Sequence, residues 1–329
     1  MKRHLIIAGL VMAASLIPIK AIAATFSQLV VYGDSLSDLG RAADATSTLP
    51  PEFKFPAYTN GGGRFSNGQI WVEYLAASLG IPANGNPTTT NRATNFAIGG
   101  ASTGRVNIGQ ALSPSSFIGI QTQVENNLIS DPAALYVIWG GANDYLFPTP
   151  ANPINPSQTI ANLTGEINAL ISLGATNILV PNLPNLGALP STRNLGATAI
   201  DLNNLTAAHN AGLAATIADL KLARPDVNLN LLDVNGLFNR VVANPSSFGF
   251  TDVTTQCITA TTVCANPNAN LFWDEIHPTT EGHRLIGELA FNTVSPTAVP
   301  EPITMLGSLM AGSAAIAFKR KLKAANVDR

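Results

Sequence analysis

The chain of 329 residues has little charge. Asp, Glu, Lys and Arg make up 12% of it, and the formal net charge is −2 at neutral pH. Its cations gather at the ends, at Lys2, Arg3 and Lys20 and again at Lys319, Arg320, Lys321, Lys323 and Arg329. Between those ends acids outnumber bases. The middle therefore has no basic face to neutralise phosphates, which argues against nucleic acid as a partner. Cysteine is almost absent. Cys257 and Cys264 stand alone, with no second ligand pair beside them to complete a zinc site. The run Gly61-Gly62-Gly63 lies in a polar stretch, without the strand before and helix after that a phosphate-binding loop needs. Nothing calls for a metal or a cofactor, and no internal repeat is present.

Apolar residues make up 46% of the chain, enough for a sizeable core. Residues 1–24 read as a secretory signal. Lys2 and Arg3 form a basic start, Leu5 to Ile19 is mostly apolar, and Ala21-Ile22-Ala23 supplies a small-x-small cleavage site. An uncleaved anchor is the alternative, although the run is short for a span. At the other end Val299-Pro300-Glu301-Pro302 precedes an apolar run, Ile303 to Phe318, and then the basic tail at 319–329. This order is similar to the PEP-CTERM sorting signal of certain Gram-negative bacteria and cyanobacteria. The resemblance implies a membrane sorting protease of the exosortase type as a partner. A permanent single-pass tail is the alternative. Either way the main domain is expected outside the cytoplasm, periplasmic, at the cell surface or extracellular, with the basic end inside.

Residues 25–294 are expected to form one domain, joined to the tail by a short linker at 295–298. Strands are predicted at Gln28–Tyr32, Thr94–Ile98, Ala134–Trp139, Asn177–Val180 and Asn228–Leu232, short aliphatic runs. Helical patterns fall at Gln69–Leu79, Ile118–Ile129, Pro156–Leu173, Ala197–Ala223 and Thr279–Asn292. In the longest, Leu202, Leu205, Leu213, Ile217 and Leu220 fit one apolar face. Alternating strands and helices predict a parallel sheet covered on both sides, with ligands beyond the C-terminal strand ends. Long loops are expected at Thr46–Ser66, Gly80–Arg92, Asn107–Ser116 and Ser246–Asn270, where such lengths usually shape a site. The last contains both cysteines, and close spacing in an exported chain favours a local disulfide.

The chemistry concentrates in two places. Val30-Val31-Tyr32 runs into Gly33-Asp34-Ser35-Leu36-Ser37-Asp38, and Asp274-Glu275-Ile276-His277-Pro278 lies far downstream. A serine hydroxyl becomes a competent nucleophile when a base takes its proton and a third group orients that base. The first run resembles the opening block of the GDSL, or SGNH, hydrolases. Asn95-Phe96-Ala97-Ile98-Gly99-Gly100-Ala101 is similar to their second block, and Trp139-Gly140-Gly141-Ala142-Asn143-Asp144 to their third. Asp274-x-x-His277 matches the last. Gly63-Arg64-Phe65-Ser66-Asn67-Gly68 looks like the lipase and acylhydrolase branch. The resemblance implies a three-layer α/β/α sandwich, flavodoxin-like, and a serine ester hydrolase. It implies Ser35 as nucleophile, His277 as base and Asp274 as orienting acid. Ser35 N–H, Gly100 N–H and the Asn143 amide would hold the oxyanion. Asp34, Asp38 and Asp144 read as loop-fixing groups, as does Arg64, while His209 and His283 read as structural. The same site would serve a carbohydrate O-deacetylase or an acyltransferase. A surface or matrix protein that binds glycan without turnover is the non-enzymatic alternative.

Overall fold

A computed structural model of the chain describes residues 26–56, 58, 61–81 and 94–295. The first strand, β1 (Leu29–Gly33), leads through a tight turn to a short helix, α1 (Arg41–Ala45), and then to α2 (Trp71–Leu79). α3 (Ile120–Asn126) precedes β2 (Leu135–Trp139), which is followed by α4 (Ala142–Leu146) and α5 (Pro156–Ser172). β3 (Asn177–Pro181), the long α6 (Ala197–Ala223), β4 (Asn228–Leu232) and α7 (Val234–Ala243) continue the alternation. The strands β5 (Asp252–Gln256) and β6 (Asn270–Phe272) and a last helix, α8 (Thr280–Val294), complete the described chain.

The first four strands form one parallel sheet in the order β1-β2-β3-β4. β1 and β2 are buried along their whole length, as parallel strands covered on both faces must be. Their alternating side chains sort into two cores. Leu29, Val31, Leu135, Val137 and Trp139 pack with α2, α7 and α8 through Trp71, Leu75, Leu237 and Ile286. Val30, Tyr32, Tyr136 and Ile138 pack on the other face with α3, α5 and α6 through Ile120, Leu163, Ile167 and Leu213. The result is the predicted three-layer α/β/α arrangement. α6 serves both layers: Leu202 and Leu205 join the first core, while Leu213, Ile217 and Leu220 join the second. The single apolar face read from its sequence is thus divided between two cores.

Three expectations are revised. Thr94–Ile98 does not form a fifth strand. It runs beside β1 as one parallel bridge, Val31 with Asn95, held by Val31 N–H to Thr94 O and Phe96 N–H to Val31 O at 2.8 Å each and Ile98 N–H to Gly33 O at 3.2 Å. The Asn95 side chain donates to Ser37 O at 2.9 Å and accepts the Ala97 N–H at 3.0 Å, a local bond that competes with strand pairing. The long loop expected at Ser246–Asn270 contains β5, which pairs parallel with β6 in a separate two-stranded sheet. α7, absent from the sequence-based helices, starts at Asp233, whose carboxylate accepts the Gly236 N–H at 2.9 Å as an N-cap. Cys257 and Cys264 are joined by a disulfide. Among the described residues no helix is long and apolar enough to cross a membrane. The proposed signal at 1–24 and the sorting tail at 299–329 lie outside the described residues, as does most of the loop at 80–92.

Candidate active site

The turn after β1 is built to present one side chain. The Gln123 amide on α3 accepts the Gly33 N–H and donates to Gly33 O, each at 2.9 Å, in the place of a neighbouring strand. Asp34 then closes the turn: its carboxylate accepts the Leu36 N–H at 3.0 Å and its carbonyl the Ser37 N–H at 3.1 Å. The Asp38 carboxylate gathers the N–H groups of Gly40, Arg41, Ala42 and Gly99 at 2.7, 2.6, 3.1 and 2.8 Å. It thereby ties the β1 turn to the segment carrying Gly99 and Gly100. Burial pushes both carboxyls up, Asp34 to about 7. Arg64 fixes its own loop, as expected, with its guanidinium on Glu73 at 2.6 and 2.7 Å.

Ser35 and His277 meet at the top of this turn. Ser35 Oγ lies 2.7 Å from His277 Nε2. His277 Nδ1 lies 2.9 and 2.8 Å from the two Asp274 oxygens. Three-residue spacing brings the acid to the base because the intervening backbone curls around the carboxylate. Asp274 Oδ1 accepts the N–H groups of Ile276 and His277 at 2.8 and 2.7 Å. Trp273 N–H donates to His277 O at 2.8 Å and closes the curl. Burial would push the Asp274 carboxyl up, but the His277 charge and these donors hold it below the usual carboxylate range. Glu275, between the two, points to solvent, and its carbonyl accepts the Ser191 N–H at 3.0 Å. Phe65 packs against the imidazole with ring centroids 5.0 Å apart.

The donors expected around the serine converge on the same place. Gly100 has φ +81, and a Cβ there would lie 2.5 Å from Ile108 Cγ1 and 2.9 Å from Asn107 Oδ1, so only glycine fits. The backbone of Gly99 is already engaged: its N–H goes to Asp38 and its carbonyl takes the Asn107 amide at 3.0 Å. Among the described residues the Ser35 and Gly100 N–H groups meet no acceptor. The Asn143 amide, at the start of α4, donates to Ala101 O at 2.9 Å. Asp144 holds the Asn143 segment by accepting from the N–H and hydroxyl of Thr103 at 3.0 and 2.8 Å. His209 lies beneath that segment, 3.1 Å from Tyr145 OH, where a Cβ on Gly141 would come within 2.6 Å of its Cε1. His283 is buried behind α2 and accepts the Trp71 N–H at 3.4 Å. Neither histidine reaches Ser35.

Ser35, Gly100, Asn143, Asp274 and His277 all line one cavity of about 650 Å³. Its wall is mostly apolar, with Leu146, Phe147, Leu186, Phe238, Ile258 and Phe272 among its side chains. Ile258, Thr259 and Ala260 come from the disulfide-closed hairpin, in which Ile258 bridges Val263 and Cys264 N–H donates to Cys257 O. One neighbour of the triad was not anticipated. Tyr58 OH donates to Asp274 Oδ2 at 2.8 Å, from a loop where neither spacing nor composition marks it. Gln123 was missed too, since a glutamine on a short helix carries no local sign of pairing with a strand end. Among the described residues no group of His, Cys, Asp or Glu is placed to hold a metal ion.

Residues 29–290 match the family described as GDSL-like Lipase/Acylhydrolase. A GDSL esterase/lipase of Arabidopsis thaliana is 28% identical over 333 residues, which cover 85% of each chain. Esterase EstA of Pseudomonas aeruginosa is also 28% identical, over 88% of this chain but 49% of its own, so the chain spans about half of that relative. The phosphatidylcholine-sterol acyltransferase of Aeromonas hydrophila is 27% identical over 80% of this chain and 89% of its own. Among solved structures, the acetylxylan esterase Axe2 of Geobacillus stearothermophilus aligns with a TM-score of 0.46 at 16% identity, over 84% of this chain and 97% of that one.

Proposed function

Because this chain belongs to the GDSL-like lipase/acylhydrolase family and is an ester-hydrolysing enzyme, we propose that it works as an exported serine hydrolase, cleaving carboxylic esters through an acyl-enzyme on Ser35. The observation that carries this reading is the unbroken line from Ser35 Oγ to His277 Nε2 at 2.7 Å and from Nδ1 to Asp274 at 2.8 Å. In that geometry His277 takes the hydroxyl proton as Oγ bonds to the ester carbon. Asp274 holds the ring with Nδ1–H toward itself, leaving Nε2 free to accept, and stabilises the imidazolium that forms. The carbonyl oxygen becomes an oxyanion, supported by the N–H groups of Ser35 and Gly100 and the amide of Asn143. Collapse breaks the bond to the alcohol, which leaves with the proton from His277. Water then repeats the sequence, and the carboxylic acid is released as Ser35 regains its proton. Donors aimed at the developing charge cost no reorganisation, and each is worth about 3 kcal/mol in other serine hydrolases.

The apolar cavity supports an acyl chain longer than acetyl as the favoured group, because an acetyl ester would leave most of the wall unfilled. Each buried methylene contributes about 0.8 kcal/mol. Transfer of the acyl group to an alcohol instead of water is the second reading, and it is favoured by the likeness to the Aeromonas acyltransferase. The same acyl-enzyme serves both reactions. Export rests on the signal-like pattern at 1–24. Processing by a membrane sorting protease rests on the Pro-Glu-Pro, apolar and basic order at 300–323.

The test is hydrolysis of p-nitrophenyl esters from acetyl to palmitoyl by the purified protein, beside its Ser35→Ala variant with an unchanged circular dichroism spectrum. Turnover that rises with chain length and disappears in the variant is expected. Ester hydrolysis by Ser35→Ala at the wild-type rate would defeat the proposal.

A further inference from the structure

The Asp274 carboxylate is held from both sides, and only one side belongs to the Asp-x-x-His segment. Oδ1 takes the backbone N–H groups of Ile276 and His277. Oδ2 is shared between His277 Nδ1 and the hydroxyl of Tyr58, each at 2.8 Å. Tyr58 arrives from 216 residues earlier in the chain, on the segment that links α1 to α2. Its ring meets Trp273 edge-on, centroids 5.8 Å apart, which fixes where the hydroxyl points. The same segment brings Phe55 and Pro56 to the cavity wall and Phe65 to the face of His277. Burial and the neighbouring Asp274 charge push the Tyr58 phenol far above its ordinary range. It therefore keeps its proton and donates at every working pH.

A carboxylate with both oxygens engaged cannot rotate. Without the phenol, Oδ2 would keep only the His277 imidazole, so no group independent of that ring would fix the carboxylate plane, and the two could turn together about the oxygen held by the backbone. We infer that Tyr58 is a positioning residue for the hydrolytic reaction, a donor that locks the Asp274 carboxylate in the orientation His277 needs. The inference rests on the serine mechanism proposed above. It assigns a role to the long loop preceding α2 that goes beyond lining the cavity.

The experiment compares Tyr58→Phe, Tyr58→Ala, Asp274→Asn and the double variant Tyr58→Phe/Asp274→Asn on a butyryl and a decanoyl ester, with Ser35→Ala alongside. Tyr58→Phe keeps the ring and removes one hydrogen bond to a charged group. It should lower kcat about tenfold and leave KM within about twofold. The acid limb of its kcat/KM profile should move upward by about half a pH unit, because an unshared carboxylate holds the His277 proton more tightly. The other titratable groups near His277, namely Asp34 beside Ser35, buried His283 and exposed Glu275, are the same in this variant. Tyr58→Ala should show the same limb shift and also a higher KM for the decanoyl ester, since a piece of the wall is gone. On the Asp274→Asn background Tyr58→Phe should have no further effect. A wild-type kcat and acid limb in Tyr58→Phe would overturn the inference and leave the serine mechanism standing. An equal loss on the Asp274→Asn background would do the same. Activity retained by Ser35→Ala would overturn both.

Discussion

Asn143 has two tasks at the scale of single residues. Its amide nitrogen donates to Ala101 O at 2.9 Å and lies 3.5 Å from Asp34 Oδ2, and the N–H not engaged by Ala101 is the one proposed to meet the oxyanion. An Asn143→Ala variant should lose about 10²–10³ in kcat with a small change in KM, since that contact is made in the transition state. Steady-state kinetics on one ester decide it, and an unchanged kcat would remove Asn143 from the oxyanion site. The candidate site residues legible in the sequence were those that a local pattern marks. Ser35 ends an apolar strand, and Asp274 and His277 share one curl of backbone. Gly100 and Asn143 follow segments that lead to the same sheet end. Tyr58 and Gln123 were not legible, because each acts on a residue far away in the chain: 216 positions for Tyr58 and 90 for Gln123. Their own neighbourhoods carry no trace of the partner.

Among the elements, the buried strands of the main sheet were easy to read. Leu29–Gly33 and Leu135–Trp139 are apolar throughout because both of their faces are covered. β5 was not, since Asp252-Val253-Thr254-Thr255-Gln256 is polar and only half buried. Pairing with β6 makes it a strand, and its composition gives no such signal. Thr94–Ile98 shows the reverse, an apolar run whose Asn95 side chain captures the local backbone. The hairpin between β5 and β6 should be rigid as a unit. Its disulfide closes a loop with a sequence separation of 7. The Cys257→Ala/Cys264→Ala pair should lower unfolding stability by about 2–3 kcal/mol, read by urea denaturation. Ile258, Thr259 and Ala260 form part of the cavity wall, so kcat/KM should fall more for a decanoyl ester than for an acetyl ester. Equal losses on both esters would separate the hairpin from chain recognition.

Across the described residues the scarcity of charge has a counterpart inside, where burial favours the neutral form of several ionisable groups. Burial lowers His209 to about 4 and His283 to about 3. Each must stay unprotonated in the fold while its unfolded counterpart takes a proton near pH 6.5. Their contribution to stability is therefore intact above pH 6.5 and is lost as the pH falls toward 4 and 3. Asp34, raised to about 7 by burial, acts in the opposite sense: its contribution is present in acid and fades as the pH rises from about 4 to 7. Removing one histidine isolates one term. Relative to His209→Gln, the wild type should lose about 3 kcal/mol between pH 6.5 and 4, measured by urea denaturation at stepped pH. A difference that does not change with pH would mean that His209 is not buried neutral. The same burial places His209 beneath Gly141 and the Asn143 loop, so acid would weaken the proposed oxyanion side of the site along with the fold.

The central claim is that Ser35 forms the covalent intermediate. The most direct measurement is peptide mass mapping after treatment with an alkyl phosphonate ester, which traps an activated serine as a stable adduct. One adduct per chain is predicted, on the peptide that contains Ser35, with matching loss of esterase activity and no labelling of the Ser35→Ala or His277→Ala proteins. Full inactivation with the label on any other residue, or continued hydrolysis by a fully labelled Ser35, would contradict the account.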